Sequence, residues 1–431
     1  MFALVVVAAM QAQQPPPIRQ IANVVAVSSD TLAAVTAAVE VAGGRVFVND
    51  IIGRRVLMYD SALANPTIVA DSDAAASNSY GTRPGTLMPF RGDSALFITP
   101  QSLSMLVLAP NGQITRVMAM PSMGGGMPAL LGNIFGTPGF DAQGRLVFFS
   151  PVRMQFNRRG GPDDGPMRME PPDSAYVVRY DLGTRTMDTA GVIKIPRNRS
   201  TMSRDDRGAM RMVMTAMPPA TVDDWAVTSD GRLAIVRGRD YHVDFLNADG
   251  TWTAAGRMPY AWQQLNDEAK QALVDSVYAD LTVQMDSMAA RRSRESGPGG
   301  STARGGPGGG GGGGGGFMIV TERAEGGNAP VRTMAAMTPT VVKAEMGDVP
   351  DYRPAFTQGA VRADREGNLW IRTTTFVDGR PVYDVVNGQG QLVDRVQLPA
   401  NRTIAGFGRG VIYMGVRDEN GNTHLEKARI R

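Results

Sequence analysis

The chain contains no cysteine and only two histidines, His242 and His424. The first absence removes disulfides, thiol nucleophiles and thiolate metal sites. The second argues against histidine-rich zinc sites and a Ser-His-Asp triad. His242 stands between Tyr241 and Val243 in an alternating run, which reads as a strand-face histidine with a local hydrogen bond. His424, near the C-terminus, reads the same way. Lysine is scarce: four residues, against 40 arginines among the 44 basic ones. The net charge is only +3 over 431 residues, with arginines and acids interleaved. A nucleic-acid binder shows a concentrated basic face, so that class is set aside. No apolar run reaches the length of a transmembrane helix.

What is present begins with a short apolar leader. Residues 2–12 (FALVVVAAMQA) precede Gln13, Gln14 and three prolines. The pattern predicts a signal peptide cleaved after Ala12, although a basic leader is missing and Met10 is unusual at the third position before the cut. The expected location is therefore periplasmic or extracellular in a bacterium. Hydrophobic residues make up 43% of the chain, enough for a globular domain.

The rest of the chain repeats one unit. Asp230-Gly231 opens into Leu233 to Val236, a loop, Tyr241 to Leu246, and a second turn at Asp249-Gly250. Glu366-Gly367 opens in the same way into Leu369 to Arg372, Val382 to Val386, and turns at Gly388 and Gly390. Asp-Gly and Asn-Gly dipeptides make tight hairpins, and short Val-, Leu-, Phe- and Tyr-rich runs make buried strands. Six such modules recur every 40 to 50 residues or so, the period of propeller blades. The expected fold is all-β, a six-bladed β-propeller with one helical and Gly-rich insertion. The sixth module ends after three strands. Ile18 to Ser28 is predicted to supply its missing outer strand and close the ring, giving one domain over residues 13–431.

The strings Asp364-Arg365-Glu366-Gly367-Asn368-Leu369-Trp370-Ile371 and Ser229-Asp230-Gly231-Arg232-Leu233 resemble the blade motif of the TolB-like and NHL-like propeller superfamily. The resemblance covers most of residues 18–431, apart from inserts. It implies the architecture. It does not imply an activity, because that superfamily includes interaction platforms, sugar-lactone hydrolases and lyases.

Long insertions fall on one side of the predicted ring. Asp71 to Gly85, Ser122 to Pro138, Pro151 to Asp173, Arg197 to Pro219 and Met258 to Arg353 join either second to third strands or one blade to the next. The turns joining first to second and third to fourth strands are short. The elaborated face is thus the expected functional face. Within the longest insert, Leu273, Val274, Val277, Leu281, Met285 and Met288 recur at helical spacing over residues 266–290, with Asn266 as N-cap. Residues 297–316 form a glycine-rich linker, with nine consecutive glycines at Gly308 to Gly316.

The candidate ligand site on that face comprises Asp223, Asp224, Arg237, Arg239, Asp240 and Tyr241, with Arg362 and Arg372 from the next module. Arginines and acids in that number suit a small anionic or carbohydrate ligand; a partner protein is the other expected occupant. The same residues also read as an ion-pair network between blades. Asp223 and Asp224, adjacent on a strand, point to opposite faces and do not form a carboxylate pair. No catalytic residue is assigned and no cofactor is expected. The alternative is a hydrolase or lyase on the same scaffold, in its main form a metal-dependent lactonase, which would place a divalent cation such as calcium near Asp224. The equivalent strand starts offer only Thr137, Thr357 and Gln358. A monomeric binding module is the expected function.

Overall fold

A computed structural model describes residues 14–21, 23–72, 79–81, 83–121, 135–150, 167–169, 172–197, 200–204, 210–295 and 339–431. The expected signal peptide and the glycine linker lie outside those residues. The described strands form seven sheets. Six of them are antiparallel meanders in chain order, at residues 35–70, 86–119, 139–194, 224–254, 356–397 and 402–429. This is a β-propeller.

Each meander follows from turn chemistry and alternation. In the fourth sheet, Thr228 and Arg232 close the Asp230-Gly231 turn with a 2.9 Å backbone hydrogen bond, and Asn247 and Thr251 close the Asp249-Gly250 turn in the same way. The strands between them, Leu233–Arg237 and His242–Leu246, are buried along most of their length. Their apolar side chains leave both faces of the sheet and must find neighbours.

They find the adjacent sheets. Phe47 and Val56 of the first sheet pack with Leu87 and Phe97 of the second. Leu96 meets Leu146 and Phe148 of the third, and Val177 meets Trp225 and Ile235 of the fourth. Phe245 meets Val361 and Ile371 of the fifth, and Trp370 meets Phe407 and Ile412 of the sixth. The sixth then returns to the first through Tyr413 and Leu425 against Val46 and Leu57. Burying one such side chain fully is worth roughly 1.5–3 kcal/mol. Packing between sheets, rather than any hairpin alone, therefore dominates the stabilisation.

The N-terminal segment divides between two sheets. Val24–Val27 pairs antiparallel with Thr423–Arg429 and completes the sixth sheet with a fourth strand. Ile18–Gln20, expected on the same sheet, instead runs parallel to Leu392–Gln397 as a fifth strand of the fifth sheet. Its side chains explain the choice. Arg19 forms an ion pair with Asp394 at 2.6 Å and donates to the Ile430 carbonyl, while Gln20 donates to Gln397 at 2.6 Å. Ile21, only 2% exposed, packs between the two sheets.

The insertions build structure that periodicity did not foretell. Met167–Met169, Ser200–Arg204, Met210–Ala216 and Thr340–Lys343 form the seventh sheet. Its strands come from three separate insertions, so no local repeat announces them. The helix spans Asp267–Glu295, beginning where expected and ending five residues beyond the predicted 290. Asn266 Oδ1 accepts the Ala269 N–H at 2.8 Å, the predicted N-cap. Val274 is buried with Leu265 and Val349, which fastens the helix to the chain that returns to the ring.

Candidate functional site

Three of the proposed site residues form a connected ion-pair network. Asp223 and Arg237 meet at 2.9 Å, and Arg237 also reaches Asp244 at 2.7 Å. His242 bridges Asp244, at 3.1 Å, and Asp240, at 2.7 Å. Arg257 approaches Asp240 at 3.4 Å. Arg237 further donates to the Val192 carbonyl, and Asp223 accepts the Lys194 and Gly238 N–H groups. Every bond of the Arg237 guanidinium therefore fastens the fourth sheet internally or to the third. Burial works to lower its pKa, but hydrogen bonds to Asp244 and Asp223 outweigh that and hold it raised. His242 has the strand-face hydrogen bonds expected of it.

Two candidates are inside the protein. Tyr241 is fully buried and donates to Asp384 at 2.8 Å, tying the fourth sheet to the fifth. Asp384 is paired in turn with Arg395 at 3.2 Å. Burial pushes the Tyr241 hydroxyl far up, and Asp384 adds to this. Asp224 points to the side opposite Asp223, as adjacency on a strand requires, and is 1% exposed. Its Oδ2 accepts the Val361 N–H at 2.8 Å, while Oδ1 has no partner among the described residues. That contact depends on a bulge in the innermost strand of the fifth sheet, where the register shifts between Phe356 and Val361 and Gly359 takes φ 72°. Only glycine enters that region without strain. Desolvation raises the Asp224 pKa to about 7, against the opposing backbone hydrogen bonds led by Val361.

Arg239 and Arg372 are exposed on the elaborated side. Arg362 is elsewhere. It lines a cavity of about 680 Å³ bounded by residues from the innermost strand of all six meanders: Val39, Leu87, Phe140, Val227, Arg362 and Phe407 among them. The lining also takes in Arg91, Asp93, Ser229, Arg365, Glu366 and Arg409 from the turns joining first to second strands. It includes nothing from Asp224–Ala226 or Phe356–Val361, the other ends of the same strands. The cavity therefore opens on the face with short turns, opposite the one expected to be functional. The proposed eight residues do not converge on one site.

The sequence does carry a signal for this mouth. Arginine recurs at the turn after three innermost strands, as Arg91, Arg365 and Arg409. Arg91 donates to the Gly144 carbonyl and Arg365 to the Glu40 carbonyl, both links to other sheets. Two of the acids nearby are engaged. Asp364 accepts Glu366 N, Asn368 N and Nδ2, and Trp370 Nε1 at 2.8–3.0 Å, and Glu366 accepts Gly410 N at 2.7 Å.

A divalent cation at the strand starts does not fit these residues. Asp224 faces backbone donors rather than further acceptors, and Thr137 Oγ1 is committed to the Val361 carbonyl. Thr357 and Gln358 are exposed. Among the described residues no three acidic, histidine or cysteine side chains are placed to hold a metal ion.

The meanders and the axial cavity place the chain in the β-propeller class. No protein-family model matches the sequence, and no curated protein matches it. Among solved structures it is similar to a member of the DUF4221 family from Bacteroides vulgatus, at 7% identity and a TM-score of 0.43, covering 94% of this chain and 96% of that one. It is also similar to a gluconolactonase from Xanthomonas campestris, at 12% identity and a TM-score of 0.37, covering 96% and 95%. A virginiamycin B lyase from Staphylococcus aureus follows at 8% and 0.36, covering 94% and 97%. No activity passes to this chain from likenesses of that order. Among the described residues no helix is long and apolar enough to cross a membrane.

Proposed function

We propose that this protein is an exported, six-bladed propeller that acts as a binding module, with its ligand in the axial cavity rather than on the elaborated face. The observation that carries the reading is the cavity of about 680 Å³ touched by all six innermost strands. That volume is in the range of small-molecule sites, and the walls mix apolar side chains with a few polar ones. Six successive inter-sheet cores and the pairing of Val24–Val27 with Thr423–Arg429 support a ring closed by the two chain ends. A rigid ring holds such a cavity preformed, which lowers the ordering cost of binding. The Asp223–Arg237 network belongs to the scaffold that holds the ring.

The test is a thermal-shift screen of small metabolites against the wild type and Ser229→Trp, a substitution in an exposed turn at the mouth. Ligands that stabilise the wild type and not the variant support the reading. Ligands unaffected by Ser229→Trp place binding elsewhere. Export is checked by sequencing the N-terminus of the protein recovered from cell envelopes, with cleavage after Ala12 expected. The hydrolase alternative requires a stoichiometric divalent ion in the purified protein together with turnover of a lactone.

A further inference from the structure

Arg362 is partly buried in the wall of the cavity, and no carboxylate among the described residues makes an ion pair or hydrogen bond with it. Its position follows from the strand: Arg362 stands opposite Trp370 in the ladder, on the side of the fifth sheet that faces the sixth. Phe407 and Ala405 of the sixth sheet share the cavity wall with it. Burial lowers its pKa, with only the more distant fields of Tyr383 and Asp224 opposing. Asp364, the carboxylate two residues along the chain, is already saturated by its own turn and by Trp370. Six other arginines of the fold, Arg19, Arg55, Arg145, Arg237, Arg395 and Arg402, each pair with an acid.

A partly buried guanidinium without an acid partner has lost part of its hydration, and an anion in the cavity can supply the acceptors it lacks. The planar fork of arginine presents parallel N–H groups that match the two oxygens of a carboxylate or phosphate. The rest of the cavity indicates what the anion carries. Leu87, Met88, Phe90, Phe140 and Phe407 make much of the wall, and Phe90 and Phe140 meet edge-on at 5.0 Å between ring centres. Thr86 adds a hydroxyl group, whereas those of Thr137 and Thr228 already donate within the fold. At the mouth Arg91, Arg365 and Arg409 are matched by Asp93, Asp364 and Glu366, so preference for an anion rests on Arg362 within the cavity.

We propose that Arg362 is the anchor of an anion site, and that the cavity takes an amphiphilic ligand with a carboxylate or phosphate at one end and an apolar or aromatic body. The inference rests on the cavity being the binding site, and it adds the charge of the ligand and the residue that reads it.

The experiment compares 3-phenylpropionate, phenyl phosphate and the neutral 3-phenylpropionamide by calorimetry on the wild type, Arg362→Gln, Arg362→Lys and Ser229→Trp. Expected is binding of at least one anion ten-fold or more tighter than the amide. Arg362→Gln should erase that preference and Arg362→Lys should restore part of it. Which anion binds more tightly separates a carboxylate from a phosphate site. Circular dichroism and melting show whether each variant is folded. A variant that fails to fold is replaced by a competition measurement on the wild type, in which chloride or inorganic phosphate must weaken anion binding and leave amide binding unchanged. If the amide binds as tightly as the anions, or Arg362→Gln leaves the preference intact, the anion inference is overturned. If the amide binds and Ser229→Trp abolishes it, the cavity reading survives that failure. If none of the three probes binds the wild type, the inference is overturned for this ligand class.

Discussion

Thr137 Oγ1 donates to the Val361 carbonyl at 2.8 Å, across 224 residues of chain. The N–H of the same Val361 donates to Asp224. The innermost strands of the third, fourth and fifth sheets are therefore tied at one residue, on the side of the channel away from the cavity mouth. A polar link at that depth holds three sheets in register where their apolar faces converge. It also leaves a carboxyl group buried with one oxygen unpartnered among the described residues, and the first prediction follows from it.

Asp224 has a folded-state pKa of about 7 against an ordinary value of 3.8. A raised acid pKa means that the folded protein holds the proton more tightly than the unfolded chain. Stability should then fall as pH rises from about 4 to about 7, and level off above that, by at most about 4 kcal/mol from this group. Asp384, also raised by burial and opposed by Tyr241 and Arg395, acts in the same sense. Asp224→Asn should remove its own share and leave that of Asp384. Denaturant melts of both proteins at intervals across this range measure the difference. Equal slopes would show that Asp224 ionises normally.

The Asp223–Arg237–Asp244 network should behave as scaffold. Arg237→Ala leaves two largely buried carboxylates without their partner and should cost about 2–3 kcal/mol. A double-mutant cycle with Asp223→Asn should return a coupling energy above about 1 kcal/mol. Binding of any ligand in the cavity should change less than two-fold in the folded variant, an expectation of independence between sites that share no contact. Loss of binding at unchanged stability would return the site to the elaborated face.

Tyr241→Phe keeps the ring and removes one hydroxyl. Asp384 would lose a hydrogen bond and keep Arg395, so the expected cost is about 1–3 kcal/mol, seen in urea melts. The substitution also removes a contact that lowers the Asp384 pKa. The loss of stability should therefore be larger at pH 8 than at pH 5, where more of that group is protonated.

The two halves of the N-terminal segment should differ under truncation. Removing residues 1–20 strips one short parallel strand and the Arg19–Asp394 pair. Removal through Val27 also exposes the edge of Thr423–Arg429, an unpaired row of backbone groups prone to association. The longer truncation should lower the melting temperature more and form higher oligomers on a sizing column. Equal behaviour of the two would show that Val24–Val27 contributes little.

Close approach between the sixth and first sheets gives a further check on the ring. A Cβ at Gly406 would lie 2.0 Å from the Ala38 carbonyl oxygen, which cannot yield without moving the strand. Gly406→Ala should destabilise by about 1–3 kcal/mol through overpacking, measured by denaturant unfolding. Gly256→Ala, whose Cβ meets nothing nearby and whose backbone lies outside the left-handed region, is the control.

Much of this molecule is written locally. Asp-Gly and Asn-Gly turns at fixed spacing, alternating strands and the Asn266 cap are short-range signals, and they determined the all-β repeat, the strand order within each sheet and the start of the helix. Asp223 and Asp224 were bound to diverge because neighbours on a strand face opposite ways. Only the tertiary structure decided the rest. Whether Arg237 faces a ligand or two carboxylates depends on which chains approach it. The same holds for Ile18–Gln20, which joins the fifth sheet through Asp394 and Gln397, and for the seventh sheet, whose strands come from separate insertions. Arg362 looks in sequence like any other arginine of the chain. Its setting comes from six strands of distant parts of the chain that line one cavity with it, none bringing it an acid partner among the described residues, and pattern within a strand carries no record of such long-range pairing.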